Sequence, residues 1–302
     1  MKKNILISTG GSGGHVIPAT IFFEHLSKDA NVSLTTDKRG SKYLDKNLYK
    51  FEIINTPKFN NIILLPLNFI VILFLTYKSF FFLKKNKIEK LISTGGYMSV
   101  PLILAAKLLK VNFFLFEPNM VLGRANRLFL VWCTKIFCYA ENIKNFPEKF
   151  KTKVVVINPL IKKEVYTLNI TREIKQKLNL LIVGGSQGAN IFDNNLKNSI
   201  INISKKTQIK IIHQTSKKNI SNLQNFYSTN NIENIIFSFE KNFVNIMQQA
   251  DFCITRAGAS TLAELSILRI PFIAIPLPTA KDNHQYENAK FYKDKDCCWL
   301  IK

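Results

Sequence analysis

Four glycine stretches, each with polar partners, carry the residue types that handle phosphates and hydroxyls. Gly10-Gly11-Ser12-Gly13-Gly14-His15, Gly95-Gly96, Gly184-Gly185-Ser186-Gln187-Gly188 and Gly258 hold ten of the 12 glycines in 302 residues. Ordinary usage of ~7% would supply far more, so glycine is concentrated where it is kept. It turns the backbone with positive φ and lets a ligand approach bare N–H groups. N–H groups at a helix start attract anions. His15 ends the first stretch and is of a type that takes a proton near neutral pH; a His that only caps or packs is the other reading. Ser186 adds a hydroxyl to the third stretch. Arg256 could meet a phosphate. Glu264 could accept two hydrogen bonds from a ribose diol, or stand as a solvated helix residue. His284, Gln285 and Asn288 could face sugar hydroxyls or simply open a polar helix.

Other chemistries are disfavoured. The loops lack GxGxxG, which weakens a dinucleotide reading, and GKS or GKT, which removes the P-loop. Asp294-Lys295-Asp296 lies in a Lys-rich stretch and reads as surface charge, so no metal and no cofactor are expected. Cys133, Cys138, Cys253, Cys297 and Cys298 form no CxxC pair and read as reduced thiols. The net charge of +22 favours an anionic partner or reflects a Lys- and Asn-rich composition. No nucleic-acid motif accompanies it, and no nucleic-acid partner is expected.

Positioning these loops takes strands and helices. Apolar runs predict strands at Asn4–Ser8, Val32–Thr36, Phe51–Asn55, Lys90–Ser93, Asn112–Phe116, Lys135–Tyr139 and Val154–Ile157. The pattern restarts with Leu180–Val183, Lys210–Gln214, Asn234–Ser238, Asp251–Thr255, Pro271–Ile275 and Cys297–Ile301. Helices are predicted between them, among them Ser99–Leu109, Ala189–Ser204 and Ala259–Leu268, with Pro18 marking a helix start. Alternation of this kind gives an α/β fold of two doubly wound domains, residues 1–160 and 161–302. Ligands sit beyond the carboxyl ends of such strands, so two facing domains would bring the loops around one cleft. Residues 62–83 are almost wholly apolar and precede Lys84, Lys85, Lys87 and Lys90. A span across a membrane between residues 15 and 95 would separate two loops of one site. A membrane-surface helix is the preferred reading over a core helix or a span, with Phe80 and Phe82 among its contacts.

Five motifs stand in one order: GGSGGHVIPA at 10–19, STGGYMSVP at 93–101, IVGGSQGAN at 182–190, TRAGASTLAE at 255–264 and DNHQYENA at 282–289. Together they resemble the MurG family, peptidoglycan glycosyltransferases of the GT-B fold with two Rossmann-like domains. The resemblance implies inverting transfer of N-acetylglucosamine from UDP-GlcNAc to the C4 hydroxyl of MurNAc in lipid I, forming lipid II without a metal. It implies that His15 is the base. Gly13, Gly14, Gly95, Gly96, Tyr97 and Asn119 would meet the acceptor. Ser12, Gly13, Ser186, Gln187, Gly188, Arg256, Gly258, Ala259, Glu264, Gln285 and Asn288 would meet the donor. It also implies a peripheral place on the cytoplasmic face of the bacterial inner membrane, held to anionic lipid through residues 62–85, with cell-wall synthesis proteins as possible partners. Another GT-B enzyme, acting on diacylglycerol, is the alternative.

The chain departs from the family pattern in places. Phe116-Glu117-Pro118-Asn119 replaces a His-Glu-Gln-Asn stretch, and Ile157-Asn158-Pro159-Leu160-Ile161 lacks the hinge Arg, with Lys162 adjacent. The sequence ends at Trp299-Leu300-Ile301-Lys302, where family members continue, so a shortened second domain is expected.

Overall fold

The computed structural model describes residues 2–57, 65–162, 165, 176–238, 240 and 243–302, without the side chains of 65 and 186–189. The chain divides into two compact units, Met1–Ile161 and Lys162–Lys302.

In the first unit, β1 (Lys3–Ser8) leads into α1 (Gly13–Leu26), then β2 (Ala30–Thr36) and β3 (Phe51–Ile53). Next come α2 (Leu65–Lys85), β4 (Lys90–Ser93), α3 (Val100–Leu108), β5 (Asn112–Glu117), α4 (Arg124–Phe129), β6 (Lys135–Cys138) and β7 (Val154–Val156). The strands form one parallel sheet in the order β3-β2-β1-β4-β5-β6-β7. Strands covered on both faces read as unbroken apolar runs, which is why Leu6, Ile7, Leu34, Leu91 and Leu115 are fully buried.

The second unit holds β8 (Lys177–Val183), α5 (Gly185–Asn195), α6 (Lys197–Ser204), β9 (Gln208–Gln214), α7 (Ile220–Thr229), β10 (Glu233–Phe237) and α8 (Phe243–Gln249). It continues through β11 (Phe252–Thr255), α9 (Ala259–Ile267), β12 (Phe272–Ala274), α10 (His284–Lys293) and β13 (Cys298–Leu300). Its parallel sheet runs β10-β9-β8-β11-β12-β13. Every strand predicted from the sequence is present, with ends shifted by a few residues.

Three details differ from expectation. Helix α1 starts at Gly13 and carries Pro18 in its interior, so the helix terminus lies within the glycine loop itself. The helix predicted over Ala189–Ser204 is two helices meeting at Leu196, after the weak helix formers Asp193-Asn194-Asn195. The apolar helix α2 is a crossover between strands of one sheet and packs along α3. Asn68, Ile72, Thr76, Ser79 and Leu83 form its buried stripe, while Phe69, Ile70, Leu73, Phe74, Tyr77 and Phe81 are each more than half exposed. Phe80 and Phe82, expected as outward contacts, lie partly buried against the core. One full turn takes 3.6 residues, so the two sets occupy opposite sides of the helix. The helix is long and apolar enough to cross a membrane, yet both of its ends feed the same sheet.

Candidate active site

Strand order decides where a ligand can enter. From β1 the chain winds through β2 to β3, and then resumes at β4 on the other side of β1 and winds to β7. The direction therefore reverses between β1 and β4, and in the second sheet between β8 and β11. Such reversal points open a crevice at the carboxyl ends of the strands. The four glycine stretches follow β1, β4, β8 and β11. Each unit thus places two loops at its own switch point.

In the first unit, Ser12 is the N-cap of α1 but its side chain makes no capping bond. The first-turn N–H groups, Gly13 and Gly14 among them, have no intrahelical acceptor by position. The two loops are stitched together: Thr94 Oγ1 donates to Thr9 Oγ1 at 2.8 Å, and the Thr94 N–H to the Ser8 carbonyl at 3.0 Å. His15 Nδ1 lies 2.7 Å from the Thr94 carbonyl oxygen. A carbonyl only accepts, so Nδ1 carries the hydrogen, and in the neutral ring Nε2 is left as the proton acceptor. Gly95 is fitted to this ring. It has φ +99°, and a Cβ there would stand 3.0 Å from His15 Cε1. Tyr97 follows in a short 3-10 turn and is 46% exposed, open to a ligand. Asn119 is held by Glu117, whose Oε1 accepts its backbone N–H at 3.2 Å and its Nδ2 at 3.0 Å. Glu117 Oε2 also accepts from Gly123 N and Asn126 Nδ2, so this buried carboxylate shapes the whole 117–126 turn.

Sequence reasoning did not single out Asp37. Its Oδ1 accepts the N–H groups of Gly11 at 2.8 Å and Gly40 at 2.7 Å, and its Oδ2 accepts from Arg39. Burial would raise its pKa, but the two backbone bonds and Arg39 outweigh that and hold the carboxyl below its usual range. Its signal in the sequence was a lone Asp at a strand end, three residues before Gly40.

In the second unit the loop after β8 becomes the first turn of α5, with Gly184 as N-cap and Gly185 at φ +65°. The side chains of Ser186 and Gln187, with Gly188, lie outside the described side chains. The Gly185 N–H donates to Gln214 Oε1 at 3.1 Å, tying the loop to the end of β9. Behind it sits a buried polar cluster that sequence reasoning also missed. Asp193 Oδ2 accepts from Thr215 Oγ1 and Asn219 Nδ2. His213 Nε2 lies 3.1 Å from Asp193 Oδ1, and its Nδ1 is 3.0 Å from the Tyr227 hydroxyl. Burial works to raise the Asp193 pKa, and the bonds from His213, Thr215 and Asn219 reverse this to a lowered value.

Around β11 several of the expected donor ligands bond to the backbone. Arg256 Nη1 donates to the carbonyls of Ile275 at 3.0 Å and Pro276 at 2.8 Å, and the guanidinium lies over Phe192. It therefore braces the segment after β12 from a buried position, and desolvation lowers its pKa. Gln285 Oε1 accepts the N–H groups of Ala257 at 3.2 Å and Leu277 at 2.9 Å. Asn288 is buried, and its Nδ2 donates to the Ala257 carbonyl at 3.1 Å. Both side chains thus hold the 256–258 loop in shape. Gly258 caps α9 and Ala259 is its first residue, which leaves the Ala259 N–H among the helix's unpaired terminal donors. Glu264 lies in α9, 8% exposed, and burial pushes its pKa up to about 7 against a small opposing effect of Lys162.

Two parallel doubly wound sheets, each with glycine loops at its switch point, have the layout of a GT-B glycosyltransferase. The N-terminal domain model of glycosyltransferase family 28 matches residues 5–138, and the C-terminal domain model matches residues 179–302. The chain belongs to glycosyltransferase family 28 and is a glycosyltransferase. A Pelagibacter ubique protein is 53% identical over 302 residues, covering 100% of this chain and 85% of its own. It is named UDP-N-acetylglucosamine–N-acetylmuramyl-(pentapeptide) pyrophosphoryl-undecaprenol N-acetylglucosamine transferase. A Rickettsia felis protein of the same name is 35% identical, with 100% of this chain and 86% of that one covered. The crystal structure of Acinetobacter baumannii MurG superposes with a TM-score of 0.77 at 25% identity, covering 100% of this chain and 86% of that chain.

Proposed function

We propose that this enzyme transfers N-acetylglucosamine from UDP-GlcNAc to the C4 hydroxyl of MurNAc in lipid I, making lipid II with inversion at the anomeric carbon. The observation that carries this reading is 53% identity along the whole chain to a relative named for the reaction. The geometry gives it a mechanism. His15 Nε2 takes the proton of the C4 hydroxyl while the ring is held by its Nδ1–H bond to Thr94. The oxygen attacks C1 of the donor sugar from the face opposite UDP, the C1–O bond breaks, and its electron pair leaves on the β-phosphate. Backbone N–H groups at the start of α5 meet that growing charge, helped by the positive end of the helix. The reaction so written needs no metal ion.

Glu264 is the ribose ligand in this reading, its carboxylate accepting from the two diol hydroxyls. Ser186, Gln187 and Gly188 meet the donor diphosphate, and Ser12 and Gly13 are further donor ligands in this reading. Gly258 and the Ala259 N–H approach the sugar. Arg256, Gln285 and Asn288 act by holding the loop that presents these groups. Gly14, Gly95, Gly96, Tyr97 and Asn119 take the acceptor. The exposed apolar face of α2, ending in Lys84 and Lys85, docks on the anionic cytoplasmic face of the inner membrane, where the acceptor resides. Release of UDP with a lipid I analogue, compared with diacylglycerol, tests the assignment. Release driven by the lipid I analogue supports it, and release driven only by diacylglycerol overturns it.

A further inference from the structure

We propose that Arg39 is a diphosphate ligand for the lipid-linked acceptor, acting beside the glycine loop after β1. The assignment rests on the reading of that loop as facing the acceptor. Arg39 lies just beyond β2, and strand pairing between β1 and β2 brings it to Gly11. Its Nε and Nη2 both donate to Asp37 Oδ2, at 3.1 and 3.0 Å. The other oxygen of the same carboxylate holds the Gly11 N–H at 2.8 Å. One carboxylate therefore fixes both the loop and the guanidinium, and sets their separation. A Cβ on Gly11 would stand 3.7 Å from Arg39 Nη2, so the cation lies against the bare backbone of the loop.

The chemistry fits an anion with more than one phosphate. The Arg39 side chain is 62% exposed while Asp37 is 10% exposed, so the pair has a buried anionic end and an open cationic end. Guanidinium carries five N–H donors in a planar fork, and those directed at Asp37 leave others for phosphate oxygens. Phosphate recognition of this kind draws on a fixed fork more than on a flexible charge. The loop itself contributes backbone N–H groups and His15, whose Nδ1–H is bonded to the Thr94 carbonyl. The anchoring by Asp37 also separates Arg39 from the many lysines of this +22 chain, since it holds the side chain in place before a ligand arrives.

The test uses the full chain with Arg39→Gln and Arg39→Lys. For Arg39→Gln, KM for a lipid-linked diphosphate acceptor should rise roughly 10- to 100-fold. KM for UDP-GlcNAc should stay within about twofold, and Arg39→Lys should recover part of the loss, as a point charge without the fork. Farnesyl diphosphate binding, titrated without donor, should weaken in parallel in Arg39→Gln and remain unchanged in Lys218→Gln, a substitution at an exposed lysine of the second unit. An unchanged acceptor KM in Arg39→Gln overturns the assignment, as does an equal rise in donor KM or full rescue by Lys. If the wild type turns over no lipid I analogue but farnesyl diphosphate binding still depends on Arg39, the assignment stands and the proposed reaction falls. Equal binding of farnesyl diphosphate by wild type and Arg39→Gln overturns it whatever the enzyme transfers.

Discussion

Replacing Glu264 with Gln should make the protein more stable and a poorer binder of its donor. Burial raises the Glu264 carboxyl from its ordinary 4.5 to about 7. A displacement of that size corresponds to about 3 kcal/mol. The sign follows from where the proton sits. Below pH 4.5 the carboxyl is neutral in both folded and unfolded chains and costs nothing extra. Between 4.5 and 7 the folded chain keeps a proton that the unfolded chain releases, so stability falls as pH rises. Above pH 7 the folded chain holds a buried carboxylate and the full loss is present. Glu264→Gln has no such titration. At pH 8 its second unit should resist urea by up to ~3 kcal/mol more than wild type, and near pH 4.5 the two should match. Trp299 fluorescence in a Trp132→Phe background reports on that unit. The same substitution should weaken UDP binding by roughly 10- to 100-fold at pH 8, because a carboxylate accepts from both ribose hydroxyls and an amide oxygen does so less strongly. Wild-type UDP affinity should rise as pH passes through 7, and the variant should show a flat profile. A stability difference that is the same at pH 5 and pH 8 would refute the burial argument. Unchanged UDP affinity would remove Glu264 from the donor site.

Further outcomes follow from the first unit. His15→Ala should lower kcat by roughly 100-fold or more while leaving UDP-GlcNAc affinity within about twofold, which steady-state kinetics and a UDP titration would separate. Gly95→Ala should lower kcat as well, because the new Cβ meets His15 Cε1 at 3.0 Å and the backbone is held at φ +99°. Normal turnover in this variant would deny the coupling of the two loops. Phe74→Ser with Tyr77→Ser should reduce binding to anionic liposomes with no loss of thermal stability, since both side chains are exposed. Phe80→Ser with Phe82→Ser should instead lower the melting temperature, because these rings pack on the core. The reverse pattern would place the membrane face on the other side of α2.

The strands were legible because buried parallel strands leave unbroken apolar runs, as in Leu180–Val183, with glycine at their ends. The same glycine stretches follow β1, β4, β8 and β11, the strands that stand side by side where each sheet reverses direction, a pairing that appears only in the sheet order. Helix α1 was misplaced because Gly13 and Gly14 are poor helix formers and Pro18 reads as a start, yet the helix opens inside the loop. The phase of α2 was hidden by its composition. Apolar residues surround it, and only packing on α3 turns Asn68, Thr76 and Ser79 inward. Asp37, Arg39, Asp193 and His213 were missed for a different reason. Each acts through a partner made near by strand pairing or by the crossing of a helix over a sheet, such as the contact of Asp193 in α5 with His213 in β9. No local spacing encodes such a contact. Arg256, Gln285 and Asn288 were read from the sequence as ligands of phosphate and sugar, and their bonds to carbonyls and N–H groups emerge only in three dimensions.

The most direct measurement incubates the full chain with UDP-GlcNAc and a lipid I analogue and determines the linkage of the product by NMR. The expected product carries N-acetylglucosamine on the C4 oxygen of MurNAc with the β configuration, inverted from the α-linked donor, and forms in equal amount to UDP. No transfer, transfer to another hydroxyl, or a product with the α configuration would contradict the proposed reaction.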